Sequence, residues 1–314
     1  MKFNIDFYGK RKLFVIIALI ICGIGFACNF VPFFGPTLDI QFKGGAITSY
    51  SYEGTLDRDE LDKTISDTYG DSVEIQFKED KANNVTSFDV EYGGKEVLPD
   101  IQTAIREKIQ ETYKENDIKL LQHISVSAQM GREFLIKCII AVVLASILLL
   151  IYVGFRFRKI GGISAGSMSL LAIVHDVFIA YVVFVVCNFT INDNFIAVVL
   201  TILGFGLNDT VVIYDRVREN RRIMGPKASI ESLVNNSVNQ CMTRTIFISL
   251  VTIMAVGVIC VVALVANISS ILSFAFPMFV TLIASCYSTN CIALPLWGSL
   301  QKRKENKLIA AKSK

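Results

Sequence analysis

Four ionisable groups stand where the sequence is otherwise apolar. His175 and Asp176 are adjacent in the run from Ile163 to Val186, Asp209 lies in the run from Phe195 to Tyr214, and Arg244 precedes 57 residues without a formal charge, Thr245 to Gln301. In hydrocarbon an ionised carboxylate costs on the order of 2.5–3.5 kcal/mol, so Asp209 requires a partner, a water-filled gap or a proton. Burial favours its neutral form, and an acid poised between its two forms can load and release a proton. The competing reading is a hydrogen-bonding anchor between helices. Adjacent residues sit roughly 100° apart on a helix, so His175 and Asp176 cannot both face one neighbour squarely. One could join a proton path with Asp209 while the other packs elsewhere, and a structural role for His175 weighs as much as a relay role. Arg244, at the inner end of its run, either snorkels or pairs with a carboxylate. No Gly-rich phosphate loop, nucleophile-plus-base set or metal-ligand spacing appears, so an enzyme, a cofactor and a metal are not expected.

The elements that must hold these groups follow from composition. The chain has 314 residues, 53% hydrophobic and 19% charged, with a mean hydropathy of +0.51. Water cannot be its only solvent. Leu13 to Val31 is uncharged and spans about 28 Å as a helix, enough for a hydrocarbon core. Lys10, Arg11 and Lys12 before it resemble a signal-peptide start, but no A-x-A-like cleavage site follows, and Gly25 stands where a lipobox before Cys28 needs an apolar residue. The long uncharged stretch would measure about 85 Å, right for two crossings, with the break at Asn267-Ile268-Ser269-Ser270. The sequence therefore predicts a polytopic α-helical membrane protein with six transmembrane helices at 13–33, 134–155, 163–186, 195–214, 242–266 and 271–297. Residues 1–12 form an N-terminal segment, 215–241 a basic connection and 298–314 a basic tail.

Lys and Arg set the orientation. They crowd the first twelve residues, the connection at Arg156, Arg158 and Lys159, the stretch from Arg216 to Lys227, and the tail. The connections around 188–194 and 267–270 have none. The positive-inside rule then puts both termini in the cytoplasm and residues 37–133 outside. That external segment carries 20 acidic and 11 basic residues, so the net charge of +3 conceals an acidic domain and a basic remainder. It gives no argument for nucleic-acid binding. All eight cysteines lie outside residues 37–133, which excludes a disulfide-stapled external domain, and the only histidines are His123 and His175. Within 37–133, strands are expected at 38–42 and 46–52 around Lys43-Gly44-Gly45, and a helix at 55–69 capped by Thr55. A hairpin at 73–78 and 86–92, a helix at 98–115 and a strand at 119–127 complete it. This is the ferredoxin-like α+β order with one extra strand in front. Gly162 and Gly166 have the spacing that lets another helix approach closely, Pro277 suggests a bend, and the Arg216–Arg222 run could bind anionic lipid or a partner.

The stretch from Gly204 to Asn220, GFGLNDTVVIYDRVREN, resembles the fourth-span signature of the SecF branch of the SecD/SecF family, within the RND superfamily. Leu38 to Gly45 resembles the D-F-x-G-G element after that family's first span, with one residue more. His175-Asp176-Val177 matches its H-D-V and Arg244-Thr245 its R-T, while residues 125–133 lack the Gly-Pro common before the second span. The resemblance covers essentially the whole chain. It implies a subunit of the bacterial inner membrane that works with a separate SecD chain, using the proton or sodium motive force to help the SecYEG translocon finish export of SecA-driven preprotein. Accessory subunits of the YidC and YajC type are further implied partners. Asp209, Arg244, Asp176 and His175 become ion-coupling candidates, and Gly204, Asn208, Thr210, Asp215, Arg216, Glu219 and Asn220 the fourth-span motif. A small-molecule exporter on the same architecture is the alternative, although one external domain and six spans fit it poorly; a non-transporting assembly subunit is another.

Overall fold

In lipid a backbone must satisfy its own hydrogen bonds, which turns the apolar runs into helices. The computed structural model describes residues 4–31, 35, 37–70, 73–80, 85–93, 99–225, 228–266 and 268–312. The long helices are α1 (Arg11–Cys28), α5 (Ala128–Arg156), α6 (Gly162–Val186), α7 (Asp193–Met224), α8 (Ile230–Val265) and α9 (Ser269–Ser288). A π-helical turn, Thr289–Ala293, joins α9 directly to α10 (Leu294–Lys312). Among the described residues, six helical stretches are long and apolar enough to cross a membrane. They coincide with the six expected runs, and the expected break near 267–270 falls between α8 and α9; Asn267 itself lies outside the described residues. α9 runs through Pro277 without interruption, and a π turn follows it at Thr289–Ala293.

Several helices overrun their expected spans: α5 begins at Ala128, six residues before 134, and α10 continues the last span through most of the tail to Lys312. α7 continues past Tyr214 to Met224 and α8 begins at Ile230, so most of 215–241 is helical rather than an irregular connection. The reason is burial: Val217 packs with Ile230, Leu233, Val234 and Val238 in one apolar cluster. Ser229 caps α8, its hydroxyl accepting from the Ser232 amide at 3.2 Å. The N-terminal segment docks on the same extension. Phe7 and Tyr8 are buried in that cluster, and Asn235 and Asn239 exchange side-chain hydrogen bonds with residues 5–8.

The segment between α1 and α5 begins with α2 (Ile40–Lys43) and continues as β1 (Gly45–Tyr52), α3 (Arg58–Tyr69), β2 (Val73–Asp80), β3 (Val85–Gly93), α4 (Pro99–Thr112) and β4 (Lys119–Val126). The four strands form one antiparallel sheet in the order β2-β3-β1-β4. Tyr50, Phe88, Val90 and Tyr92 of the sheet are buried with Leu61, Ile65, Ile105 and Ile109 of α3 and α4. The hairpin turn between β2 and β3 lies outside the described residues.

Three local expectations are corrected. Residues 38–42 are not a strand of this sheet: the Asp39 carboxylate accepts from the Gln41 amide at 2.9 Å and caps the single turn α2. Leu38 instead forms an isolated bridge with Ile191, in the loop between α6 and α7. α3 starts at Arg58, not Thr55, with Asp57 accepting from the Glu60 amide at 3.3 Å. The described part of α4 begins at Pro99, the expected first residue, Leu98, lying outside the described residues, and it ends at Thr112 rather than 115. Gly44, at φ +79°, carries the chain so close to the start of α5 that a β-carbon there would collide with the Ala128 backbone. That close approach lets α2 lie on α5, with Phe42 stacked on Phe134 at 5.6 Å between ring centroids.

Candidate functional site

Close packing of α6 against its neighbours places the buried polar groups. A β-carbon at Gly162 would collide with the Gly154 carbonyl oxygen, and one at Gly166 would stand 2.9 Å from Leu150 Cδ1, so both glycines serve the contact of α6 with α5. At Gly206 an added β-carbon would press on Ile173 Cγ1 at 3.0 Å, which brings α7 equally close to α6. The buried Thr210 returns its hydroxyl to the Gly206 carbonyl at 2.6 Å.

Asp176 points into this packed interior, 1% exposed. Its Oδ2 accepts from Ser288 Oγ at 2.8 Å, across from α6 to the last residue of α9 before the π turn. Its Oδ1 lies 3.0 Å from His175 Nδ1. The imidazole thus folds back onto its sequence neighbour, and when the acid is ionised Nδ1 carries the shared proton. His175 Nε2 is buried without a hydrogen-bond partner among the described residues, as are Ser285 Oγ and Asn290 Oδ1. A buried carboxylate, an imidazole and hydroxyls form a set that can pass or hold a proton.

Asp209 is half-buried on α7, where Ser249 Oγ of α8 donates to its Oδ2 at 3.5 Å. Cys286 of α9 lies within electrostatic reach of its charge. Arg244 is not brought to it. Arg244 and Ser249 are five residues apart on α8, about 140° around the helix, and Arg244 is exposed with no ion pair to a described residue. It lines a cavity of about 830 Å³ together with Lys159, Arg218, Arg222 and Gln240, among others.

The motif of residues 204–220 divides in two. Gly204 and Asn208 lie on the exposed side of α7. The later residues clamp the extensions of α7 and α8 together. Asp215 pairs with Arg156 and with Arg218, both at 3.0 Å, and Arg216 pairs with Glu219 at 2.6 Å while donating to Gln240 at 2.8 Å. The buried Asn220 donates to Ser237 at 2.9 Å and Gln240 at 2.8 Å. The Arg216–Arg222 run is therefore largely engaged within the chain, Arg221 donating to the Ala228 carbonyl at 2.9 Å.

Sequence reasoning missed Ser249, Ser288, Gln240 and the π turn. Ser285 and Ser288 stand three apart in an uncharged span, a spacing that shares one helix face and could have pointed to them. Among the described residues no cluster of three or more His, Cys, Asp or Glu could hold a metal ion.

Comparison with known proteins gives consistent findings. The family profile described as Protein export membrane protein SecD/SecF, C-terminal, matches residues 105–303. The protein translocase subunit SecF of Calditerrivibrio nitroreducens is 32% identical over 306 residues, 96% of each chain. The protein translocase subunit SecDF of Bacillus subtilis is 29% identical over 304 residues, 96% of this chain and 39% of that one. The crystal structure of SecDF from Thermus thermophilus, described as a translocon-associated membrane protein, superposes with a TM-score of 0.74 at 24% identity. It covers 98% of this chain and 39% of that one. The present chain thus spans about two fifths of the SecDF chains and nearly the full length of the separate SecF.

Proposed function

The chain belongs to the SecD/SecF family of protein-export membrane proteins, and on that premise we propose that it is the SecF-type subunit of the Sec machinery. It works with SecD and uses the proton or sodium motive force to promote late steps of translocation through SecYEG, with preprotein driven by SecA and accessory subunits of the YidC and YajC type alongside. Matching of nearly the whole chain to part of a fused SecDF supports SecD as partner. The chain sits in the bacterial inner membrane with both termini cytoplasmic, as its Lys and Arg distribution favours. The sheet order β2-β3-β1-β4, with α3 and α4 as the two crossovers, supports a ferredoxin-like domain on the outer side. No enzymatic step belongs to this reading.

One observation carries the coupling role: Asp209 is an acid between apolar helices whose hydrogen-bond partner is a single hydroxyl 3.5 Å away on α8. Ionised, it can only accept from Ser249; protonated, it can donate, and the charge that kept water or a cation beside it is gone. The interface between α7 and α8 thereby acquires two arrangements that an ion gradient biases. Asp176, tied to Ser288 and His175, is the second acid on the inner side of that packing. Arg244, on the exposed face of α8, acts toward the partner half of the bundle. Motion reaches the outer domain through α5 and through the bridge to the α6–α7 loop, where the Ile191 amide donates to the Thr37 carbonyl at 2.8 Å and the Asp39 amide to the Ile191 carbonyl at 3.1 Å. Inverted membrane vesicles containing SecD and either the native chain or Asp209→Asn test this. The expected result is export that no longer responds to the gradient in the variant; unchanged gradient dependence would assign Asp209 a structural role.

A further inference from the structure

At the cytoplasmic ends of α5 and α6 a cleft of about 640 Å³ opens beside the bundle, on helices other than those that carry Asp209 and Arg244. We propose that it binds one anionic phospholipid, the phosphate between Arg158 and Lys304 and an acyl chain along Leu150, Ile151 and Gly154. The two ends of the cleft differ in chemistry in the way the two ends of a lipid do. Leu150, Ile151 and Phe155, on the last two turns of α5, give it apolar walls. Arg158, in the short turn after α5, and Lys304, on α10, stand among its lining residues as its two cations.

Of the exposed cations on this side without an ion pair to a described residue, which include Lys159, Arg222 and Arg303, Arg158 and Lys304 are the two that line this cleft. Arg156 and Arg218 share Asp215 at 3.0 Å each, and Lys302 reaches Glu231 at 3.9 Å. Arg158 and Lys304 are exposed and have no ion pair to a described residue. They also stand at the inner end of the spans, the depth of the phosphate groups in the cytoplasmic leaflet. A soluble anion would leave the apolar walls wet, and a zwitterionic headgroup brings a cation of its own toward two others. An anionic lipid satisfies both parts of the cleft. Gly154 keeps it open: a β-carbon there would meet no atom within 4 Å, so a longer side chain at this position would fill the cleft rather than the protein.

The test uses the full chain in bilayers of phosphatidylglycerol and phosphatidylcholine in equal amounts, released intact for mass spectrometry. The native chain retains one phosphatidylglycerol in preference to phosphatidylcholine. Arg158→Gln and Lys304→Gln each reduce that preference roughly five-fold, the effect of one basic side chain near the membrane surface. Gly154→Leu keeps both charges and loses the retained lipid of either kind; because leucine favours helix over glycine, this variant remains folded and informative if a charge variant does not. A thermal unfolding curve for each variant verifies folding. Equal retention of the two lipids by the native chain, or unchanged retention in Gly154→Leu, overturns the proposal. So does displacement of the lipid by millimolar inorganic phosphate, which would make this a site for the free anion.

Discussion

At the scale of single residues, the serine hydroxyls decide what the carboxylates can do. Ser288 supplies the hydrogen bond to Asp176 Oδ2, the oxygen that His175 Nδ1, which lies against Oδ1, does not serve, and at 1% exposure bulk water scarcely reaches it. Ser288→Ala should therefore destabilise the chain by about 1–3 kcal/mol, the cost of an unsatisfied buried polar group, seen as a lower unfolding midpoint in detergent. An unchanged midpoint would mean that water or His175 already meets the need. The acids were legible from sequence because a charge in an apolar run is conspicuous. Their partners were not, since serine and cysteine are unremarkable in a span until the packing shows which ones face inward. Arg244 shows the converse: its type and position leave snorkelling and a carboxylate partner both open, and only its place around α8 reveals that it faces away from Ser249.

At the scale of elements, hydropathy was enough to place six apolar helices, because lipid leaves the backbone few options, and residue patterning was enough to place a mixed α+β segment between the first two. Local caps and short turns were harder. Residues 38–42 suggest a strand beside Lys43-Gly44-Gly45, yet the Asp39 carboxylate satisfies the amide of Gln41 and starts a helical turn instead. α7 and α8 outran their hydrophobic lengths because the halves beyond them bury Val217 against Leu233 and Val234 and clamp Asn220 to Ser237, contacts that a hydropathy window cannot see. Within the sheet, β1 and β4 meet at Thr48 and His123, whose Nδ1 lies 2.8 Å from the Thr48 hydroxyl. Burial depresses the pKa of His123 below its ordinary value. The unfolded chain then binds the proton more readily than the folded one, so stability falls as pH drops from about 6.5 through the depressed value. Amide exchange of β1 and β4 should accelerate over that interval in the native chain and not in His123→Gln. The same acceleration in both would place the titrating group elsewhere.

At the scale of the whole molecule, the helical bundle and the α+β domain touch at more than the two helices that connect them in sequence. α2 rests on the start of α5, and the segment before it exchanges two backbone hydrogen bonds with Ile191 in the loop between α6 and α7, the helices that carry Asp176 and Asp209. Such a bridge transmits displacement between two bodies when both ends are well packed. Ile191→Pro removes the donor to Thr37; ion flux through the complex with SecD should persist while gradient-driven export falls, and a parallel loss of both would mean the loop serves the ion site instead. No sequence pattern announces this link, because its hydrogen bonds come from the backbone and its residues lie about 150 apart. The central claim is that ion passage at Asp209 powers export, and it is tested most directly in proteoliposomes holding the chain, SecD and the translocon, with ion flux and export read in the same vesicles. The account predicts that Asp209→Asn assembles normally and loses flux together with the gradient-dependent part of export. Full flux and full export in that variant would contradict it.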